Sequence, residues 1–568
     1  MKTRSFYLLG ALLLAACGST NRNPNQHAAT AGSSAGGAPA TANGGDGAGG
    51  DGDSEACPSN VGLSVPAGLV RLSFGEVNAS LTQLFGADAA AIIAQELELD
   101  AAKDAFPPLA ATSEGTIITD TRFLTGDKLA QNAGAYVREH FEAVTKCAAT
   151  YACVTDFVTT FAQRAFRRAL TSDEQSAVER VVVGAEALGA PPEQGAEYGV
   201  YAVLESPHFL YRTELGPSAA AAATGELRLS DDELASSLSF FLTGAPPDQA
   251  LLDAASAHDL GGPDQLAPHV ERLLASAAGR QHLERTLGNY LGRPNLQTVV
   301  IDPAVYPDFN RGVVGSMDRE LTLFLKNTLW KQPVSGLLTS RTANVNATLA
   351  ALYGVQLPTS GLDADGFAEV ELPENRAGWL TRAGALTARS RPDGPSVVGR
   401  AIWVASTFTC AELPPFPENM ADLLATLPDQ PPPGASQREL AEYRMETEPC
   451  DSCHVEFDQY GLALDEFDGV GRYRSTDAQG RPIDPAVELP AKVGGAKVTG
   501  GAELSKALSG EIFAACLTKS FLQYALGFAA DSKAARCEAK SLATAENPTF
   551  TDLLSSVALS RAFATRTR

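Results

Sequence analysis

Three times along the chain a Ser or Thr stands three residues before a Glu at the head of an apolar pattern. The pairs are Ser73 with Glu76, Thr171 with Glu174 and Ser230 with Glu233. In such a capping box the hydroxyl accepts from one orphan backbone N–H of the first helical turn, and the Glu side chain reaches back to a second. Behind these starts, apolar residues recur every 3.6 positions rather than alternating. The spacing predicts helices over 69–86 (stopped by Gly86), 120–147, 154–170, 174–188, 198–214, 229–242, 249–257, 269–291 and 317–330. A further helical unit begins over 376–404, a proline-rich ordered surface loop spans 412–433, and another helix covers 437–457. The turn Asp477-Ala478-Gln479-Gly480 places a small β-hairpin in 473–501, and helices over 504–527 and 550–564 close the chain. No fixed-period repeat is present. The expected fold is mainly α, a multi-domain helical body with a small hairpin near the C-terminus.

The densest chemistry lies at Cys450-Asp451-Ser452-Cys453-His454. Two cysteines separated by two residues, with a histidine immediately after, form the attachment signature of a c-type haem. Thiols at i and i+3 share one helical face and can both reach the porphyrin vinyl groups. The adjacent imidazole is then placed to bind iron. Cys450 and Cys453 are therefore candidates for the thioether bonds and His454 for the proximal ligand. Other readings stand beside this one: a redox dithiol, half of a zinc site lacking its other ligands, or a plain disulfide.

The N-terminus carries Lys2 and Arg4 before a short apolar run over 6–16, too short to span a bilayer as a mature helix. It ends Leu14-Ala15-Ala16-Cys17, similar to the lipobox of bacterial lipoproteins. The resemblance implies cleavage before Cys17 and acylation of its thiol, so the expected membrane contact is a lipid anchor alone. Residues 18–55 are rich in Gly, Ala, Ser and Thr and read as a disordered tether. The body is long enough for several cores. Its division is expected at 56–150, 151–190, 191–360, 370–475 and 476–568, after 1–17 and 18–55. The net charge of −23 argues against nucleic acid as a partner. Of nine cysteines, setting aside Cys17, Cys450 and Cys453 leaves an even six: Cys57, Cys147, Cys153, Cys410, Cys516 and Cys537. In an oxidising compartment these are disulfide candidates. Short loops favour Cys147–Cys153 and Cys516–Cys537, with Cys57–Cys410 left over, among about fifteen possible pairings.

Several segments together resemble the multi-domain cytochrome-c-like surface proteins of planctomycetes and myxobacteria, built of domains of unknown function. They are RLSFGEVNASLTQLFG (71–86), FAQRAFRRALTSDE (161–174), SPHFLYRTE (206–214), LRLSDDELASSLSFFL (227–242), NVNATLAALYG (344–354), RAGWLTRAGALT (376–387), SVVGRAIWV (396–404), CDSCHVEFDQYGLALDEFDGVGRYR (450–474) and CLTKSFLQYALG (516–527). The likeness runs from residue 69 to the C-terminus with the modules in the family's order. The chain departs from the family's Pro at Ala169, its Asp-Pro at Asp458-Gln459, its Trp near Thr243 and its Arg-Gly at Arg400-Ala401. The resemblance implies an envelope location, at the outer membrane or cell surface, and one haem c. It implies no substrate.

For a second axial ligand the candidates are Met420 first, then Met445, Met317, His208, His269 and His282, or no protein ligand. Arg472 and Arg474 could pair with haem propionates or form a surface pair beside Asp465, Glu466 and Asp468. Phe457, Tyr460, Leu462 and Leu464 could wall a haem or pack a core. Arg164, Arg167 and Arg168 read as one helix's solvated face, with a buried salt bridge at most. No Ser/His/Asp order, nucleotide-binding loop or zinc-protease helix is present. Three functions follow as expectations: an envelope-anchored mono-haem electron carrier, a haem enzyme with an open iron position, or a non-catalytic surface protein. The last would bind polysaccharide or protein, with Cys450 and Cys453 as a disulfide. Whether the chain is an enzyme stays open.

Overall fold

The computed structural model describes residues 57, 63–95, 97, 120–216, 225–413, 431, 434–527, 532–543 and 545–567. Cys17 and Met420 lie outside them. All three expected capping boxes form, opening the helices Phe74–Phe85, Ser172–Ala187 and Asp231–Thr243. The same device recurs at Ser436 with Glu439 and at Thr549 with Asp552. Helices dominate the described residues, and the strands there form two-stranded antiparallel pairs. One of them, Ala486–Glu488 with Lys497–Thr499, lies within the expected 473–501, but it turns through 489–496; the expected turn at Asp477–Gly480 closes the isolated bridge between Thr476 and Pro482 instead.

Several long expected helices are broken. Residues 198–214 divide into the helices Pro192–Leu204 and Pro207–Leu210 and the strand Tyr211–Glu214. Pro207 lacks the N–H an uninterrupted helix needs, so it starts a new turn capped by Ser206. The strand that follows pairs with Gly68–Arg71, so the segment expected as the head of the first helix is extended. Residues 269–291 split at Ser276, whose hydroxyl caps the second helix, Ala277–Tyr290.

Ser54–Arg568 forms one compact unit. Its N-terminal helices bury Leu81, Ala130, Val154, Val158, Phe161, Val200 and Phe209 in one cluster. Gly199 lets two of them approach, since a Cβ there would lie 2.6 Å from a Val158 methyl. A larger cluster runs from Leu234 and Leu238 through Met317, Phe324 and Trp379 to Phe521 and Phe563.

Charge is buried within this body at chosen points. Arg382 and Glu320 are both fully buried and meet at 2.6 Å. The same guanidinium donates to the Thr342 carbonyl at 2.6 Å. Burial pushes the Glu320 carboxyl above its usual range while Arg382 opposes the shift. Near the C-terminus, buried Arg566 donates Nε to Glu214 Oε2 at 2.9 Å, and Ser237 donates to the other oxygen at 2.8 Å. The strand Thr565–Thr567, absent from the sequence expectation, pairs with Glu226–Arg228. Its last residue also bonds Val65 and Ala67. The end of the body is thereby sewn to its beginning.

Arg167 corrects the expectation of a solvated face. It sits buried in the left-handed region just past Phe166 and donates to the carbonyls of Ala165, His208, Phe209 and Tyr211. The apolar pattern marks which face of the helix Tyr151–Phe166 is solvated. It does not reach a residue that has already left the helix.

Removing one member of a buried ion pair leaves an uncompensated charge, which costs about 3–5 kcal/mol. Arg382→Leu is expected to lower unfolding free energy by about that much. Urea denaturation followed by circular dichroism measures it, and a variant within about 1 kcal/mol of the wild type would show that Glu320 finds another partner.

Candidate redox-cofactor site

The motif segment is built in three short pieces. The helix Gln437–Glu446 runs in behind its Ser436 cap. The chain turns through Thr447–Pro449 and makes one helical turn, Asp451–His454. The helix Asp458–Ala463 follows. The single continuous helix expected over 437–457 is therefore not formed. The N–H groups of Cys453 and His454 both donate to the Cys450 carbonyl, at 3.2 and 3.0 Å. This bonding puts Cys450 and Cys453 on one turn, as the i, i+3 spacing anticipates.

Both thiols are half-buried and unpaired. The other six cysteines from Cys57 onward are bonded as Cys57–Cys537, Cys147–Cys153 and Cys410–Cys516. Only the Cys147–Cys153 pairing matches the sequence expectation. Cys516–Cys537 and Cys57–Cys410 are corrected, because contact in the fold overrides short loop length. Cys516 is buried in the helix Glu511–Leu526, with Cys410 beside it just beyond the helix Val397–Phe408. Cys537 lies on the next helix, Lys533–Leu542, and takes Cys57 instead.

His454 is oriented by a partner that was not anticipated. Its Nδ1 lies 2.9 Å from Asp458 Oδ1. Asp458 is fully buried, and its other oxygen accepts from Arg444 Nε at 2.9 Å, with Nη2 of the same guanidinium 2.8 Å away as an ion pair. A carboxylate oxygen only accepts, so Nδ1 carries a proton, and in the neutral ring Nε2 then keeps the lone pair. The Phe457 ring packs against the imidazole with centroids 5.0 Å apart. His-x-x-x-Asp is an i, i+4 spacing and was visible in the sequence. Arg444 was not, because its approach depends on the chain reversing between the two helices.

The segment is bolted to the body from one side. Gly461 lies so close to the helix Val397–Phe408 that a Cβ would sit 2.1 Å from the Val397 carbonyl oxygen. Buried Arg400 donates to the carbonyls of Leu464, Phe467 and Asp468 at 3.0, 2.6 and 2.6 Å. Phe457, Tyr460, Leu462 and Leu464 are all buried in hydrophobic clusters. Arg474 pairs with Asp465 at 2.7 Å, while Arg472 approaches the exposed Asp308 at 3.7 Å.

Of the possible second ligands, Met317 is fully buried in the large core. His282 bonds the Tyr524 hydroxyl at 3.1 Å. His208 meets Glu174 at 3.1 Å, and Met445 packs with Ala441 and Leu462 while accepting from Gln459 at 3.4 Å. None of these contacts brings a second ligand to His454. Among the described residues, no group of three or more His, Cys, Asp and Glu side chains gathers as a metal cage, and no helix is long and apolar enough to cross a membrane.

The donor set itself fits a covalently held haem. Two unpaired, partly exposed thiols stand on one turn, and the adjoining imidazole presents Nε2. Exposed Val455 supplies apolar surface beside them.

Three family profiles match in tandem, each described as a protein of unknown function. Residues 153–214 match PSD5 (DUF1595), 229–355 match PSD4 (DUF1592) and 376–477 match PSCyt3 (DUF1588). Their presence in this order supports the multi-domain family that the sequence resembles. The third match contains the whole motif segment. No curated protein and no solved structure matches the chain.

Alkylation of unreduced, haem-free protein is expected to label Cys450 and Cys453 and to spare the six bonded cysteines. Peptide mapping should recover the Cys57–Cys537 and Cys410–Cys516 links. A Cys450–Cys453 disulfide in that map would contradict the arrangement.

Proposed function

We propose that the chain carries one haem c, bonded through Cys450 and Cys453 with His454 as its proximal ligand. An acylated Cys17 anchors it to the bacterial cell envelope, at the outer membrane or cell surface, and it serves electron transfer or another haem-linked redox role. The carrying observation is a contrast among cysteines. Among the described residues six are spent in disulfides, and the two left unpaired are those on one helical turn beside an oriented histidine. The disulfides also suit an exported protein, since such bonds persist in oxidising compartments. The name PSCyt3 of the family matched over 376–477 agrees with a cytochrome-like module.

When bound, such a haem supplies one-electron chemistry at iron, with a potential set by its axial ligand, hydrogen bonds and burial. The chain's own residues have narrower tasks. Cys450 and Cys453 fix the register of attachment. Asp458 and Phe457 hold the imidazole in one tautomer and one orientation. Arg400 and the close approach at Gly461 keep the segment from shifting against the core.

Protein exported from a host with c-type maturation is expected to give a pyridine haemochrome spectrum of covalent haem, and Cys450→Ala/Cys453→Ala is expected to lose it. Absence of covalent haem from the wild type would remove the proposal and favour a surface-binding lipoprotein. A low-spin spectrum points to a sixth ligand and electron transfer. A high-spin iron that takes cyanide or carbon monoxide points to catalysis.

A further inference from the structure

Asp458 has two neighbours of unlike kind, and that asymmetry is informative. Arg444 alone would satisfy a buried carboxylate, and here it engages only Oδ2. The second oxygen is aimed at the histidine Nδ1. A backbone carbonyl in that place would fix the same tautomer. A carboxylate adds negative charge, which strengthens the imidazole as a donor through Nε2.

We propose that Asp458 is a positioning residue that tunes His454 electronically, its buried carboxylate on Nδ1 holding the iron couple at low potential while Arg444 limits the effect. The inference rests on the haem reading above. The carboxylate favours the ferric over the ferrous state because the oxidised iron carries the extra positive charge. The guanidinium on the far oxygen offsets part of that charge. The two residues are therefore opposed levers on one histidine, which a purely structural pair would not be.

Asp458→Asn tests this at constant shape. The amide has one oxygen for two donors, His454 Nδ1–H and Arg444, so the negative charge is lost at nearly constant shape and one of the two contacts is lost with it. Changes in such outer partners alter metal affinity by about tenfold to a hundredfold. A tenfold loss of ferric preference raises a one-electron couple by about 59 mV. Spectroelectrochemical titration of the haem-loaded full chain is expected to show an upward shift of at least that size. Arg444→Gln is expected to shift the couple downward. Covalent haem with a couple unmoved by Asp458→Asn overturns the inference and leaves the haem reading standing. A wild type without haem overturns both. Where Asp458→Asn does not retain haem, Arg444→Gln decides, since a fall in potential supports the tuning role and an unmoved or raised couple overturns it.

Discussion

Burying a guanidinium is expensive, and this chain does so repeatedly. An ion taken from water costs several kcal/mol unless every donor finds an acceptor. Arg167, Arg376, Arg382, Arg400 and Arg566 are each almost wholly buried. Their partners are largely backbone carbonyls: Arg167 gathers those of Ala165, His208, Phe209 and Tyr211, and Arg400 those of Leu464, Phe467 and Asp468. Those carbonyls lie in the last turn of a helix or within a few residues beyond it, where backbone acceptors lack intrahelical donors. The planar fork of arginine satisfies several at once in a way a lysine cannot. Each such residue therefore specifies one path for a turn, because any other path strands a buried charge. Much of the helix-to-helix geometry follows from these pins as well as from the apolar clusters.

The motif segment depends on that constraint directly. Its helices are short, and the one-turn Asp451–His454 could not hold a fixed shape alone, since short helices are marginal in water. Fixity comes from the chain after it. Arg400 holds the exit, and Gly461 permits contact with the helix Val397–Phe408. Asp458 ties His454 to Arg444 on the preceding helix. A site whose ligand must keep one tautomer and one direction gains from this arrangement, because precision comes from supporting contacts rather than from the turn that carries the ligand.

Local chemistry was legible in the sequence and long-range chemistry was not. Ser73, Thr171 and Ser230 are read correctly because a capping box is complete within four residues. A hairpin within 473–501 is legible, but the turn residues at 477–480 close an isolated bridge, and the paired strands turn through 489–496. The change from helix to strand after Pro207 is hidden, because residues 211–214 are extended only by pairing with 68–71. Cys516 is assigned to Cys537 for the same reason. Separation along the chain says nothing of which face of a helix a thiol occupies. At the candidate site, Cys450, Cys453 and His454 are evident from register, and Asp458 could have been. Arg444 becomes a partner only through a reversal that no spacing rule describes.

The size of the body also acquires a physical reading. A single redox group needs few residues to hold it, yet the motif lies within one family match of three in tandem. Phe457, Tyr460 and Leu464 belong to the same apolar cluster as Leu234 and Phe563. The motif's packing is thus continuous with helices more than a hundred residues distant on either side. Binding elsewhere on this body that altered the packing around Phe457 would bear on His454, which that ring touches. A tightly packed interior transmits such displacement instead of absorbing it. The helical mass is then not idle bulk around the motif, since its packing is continuous with the ring that touches the histidine.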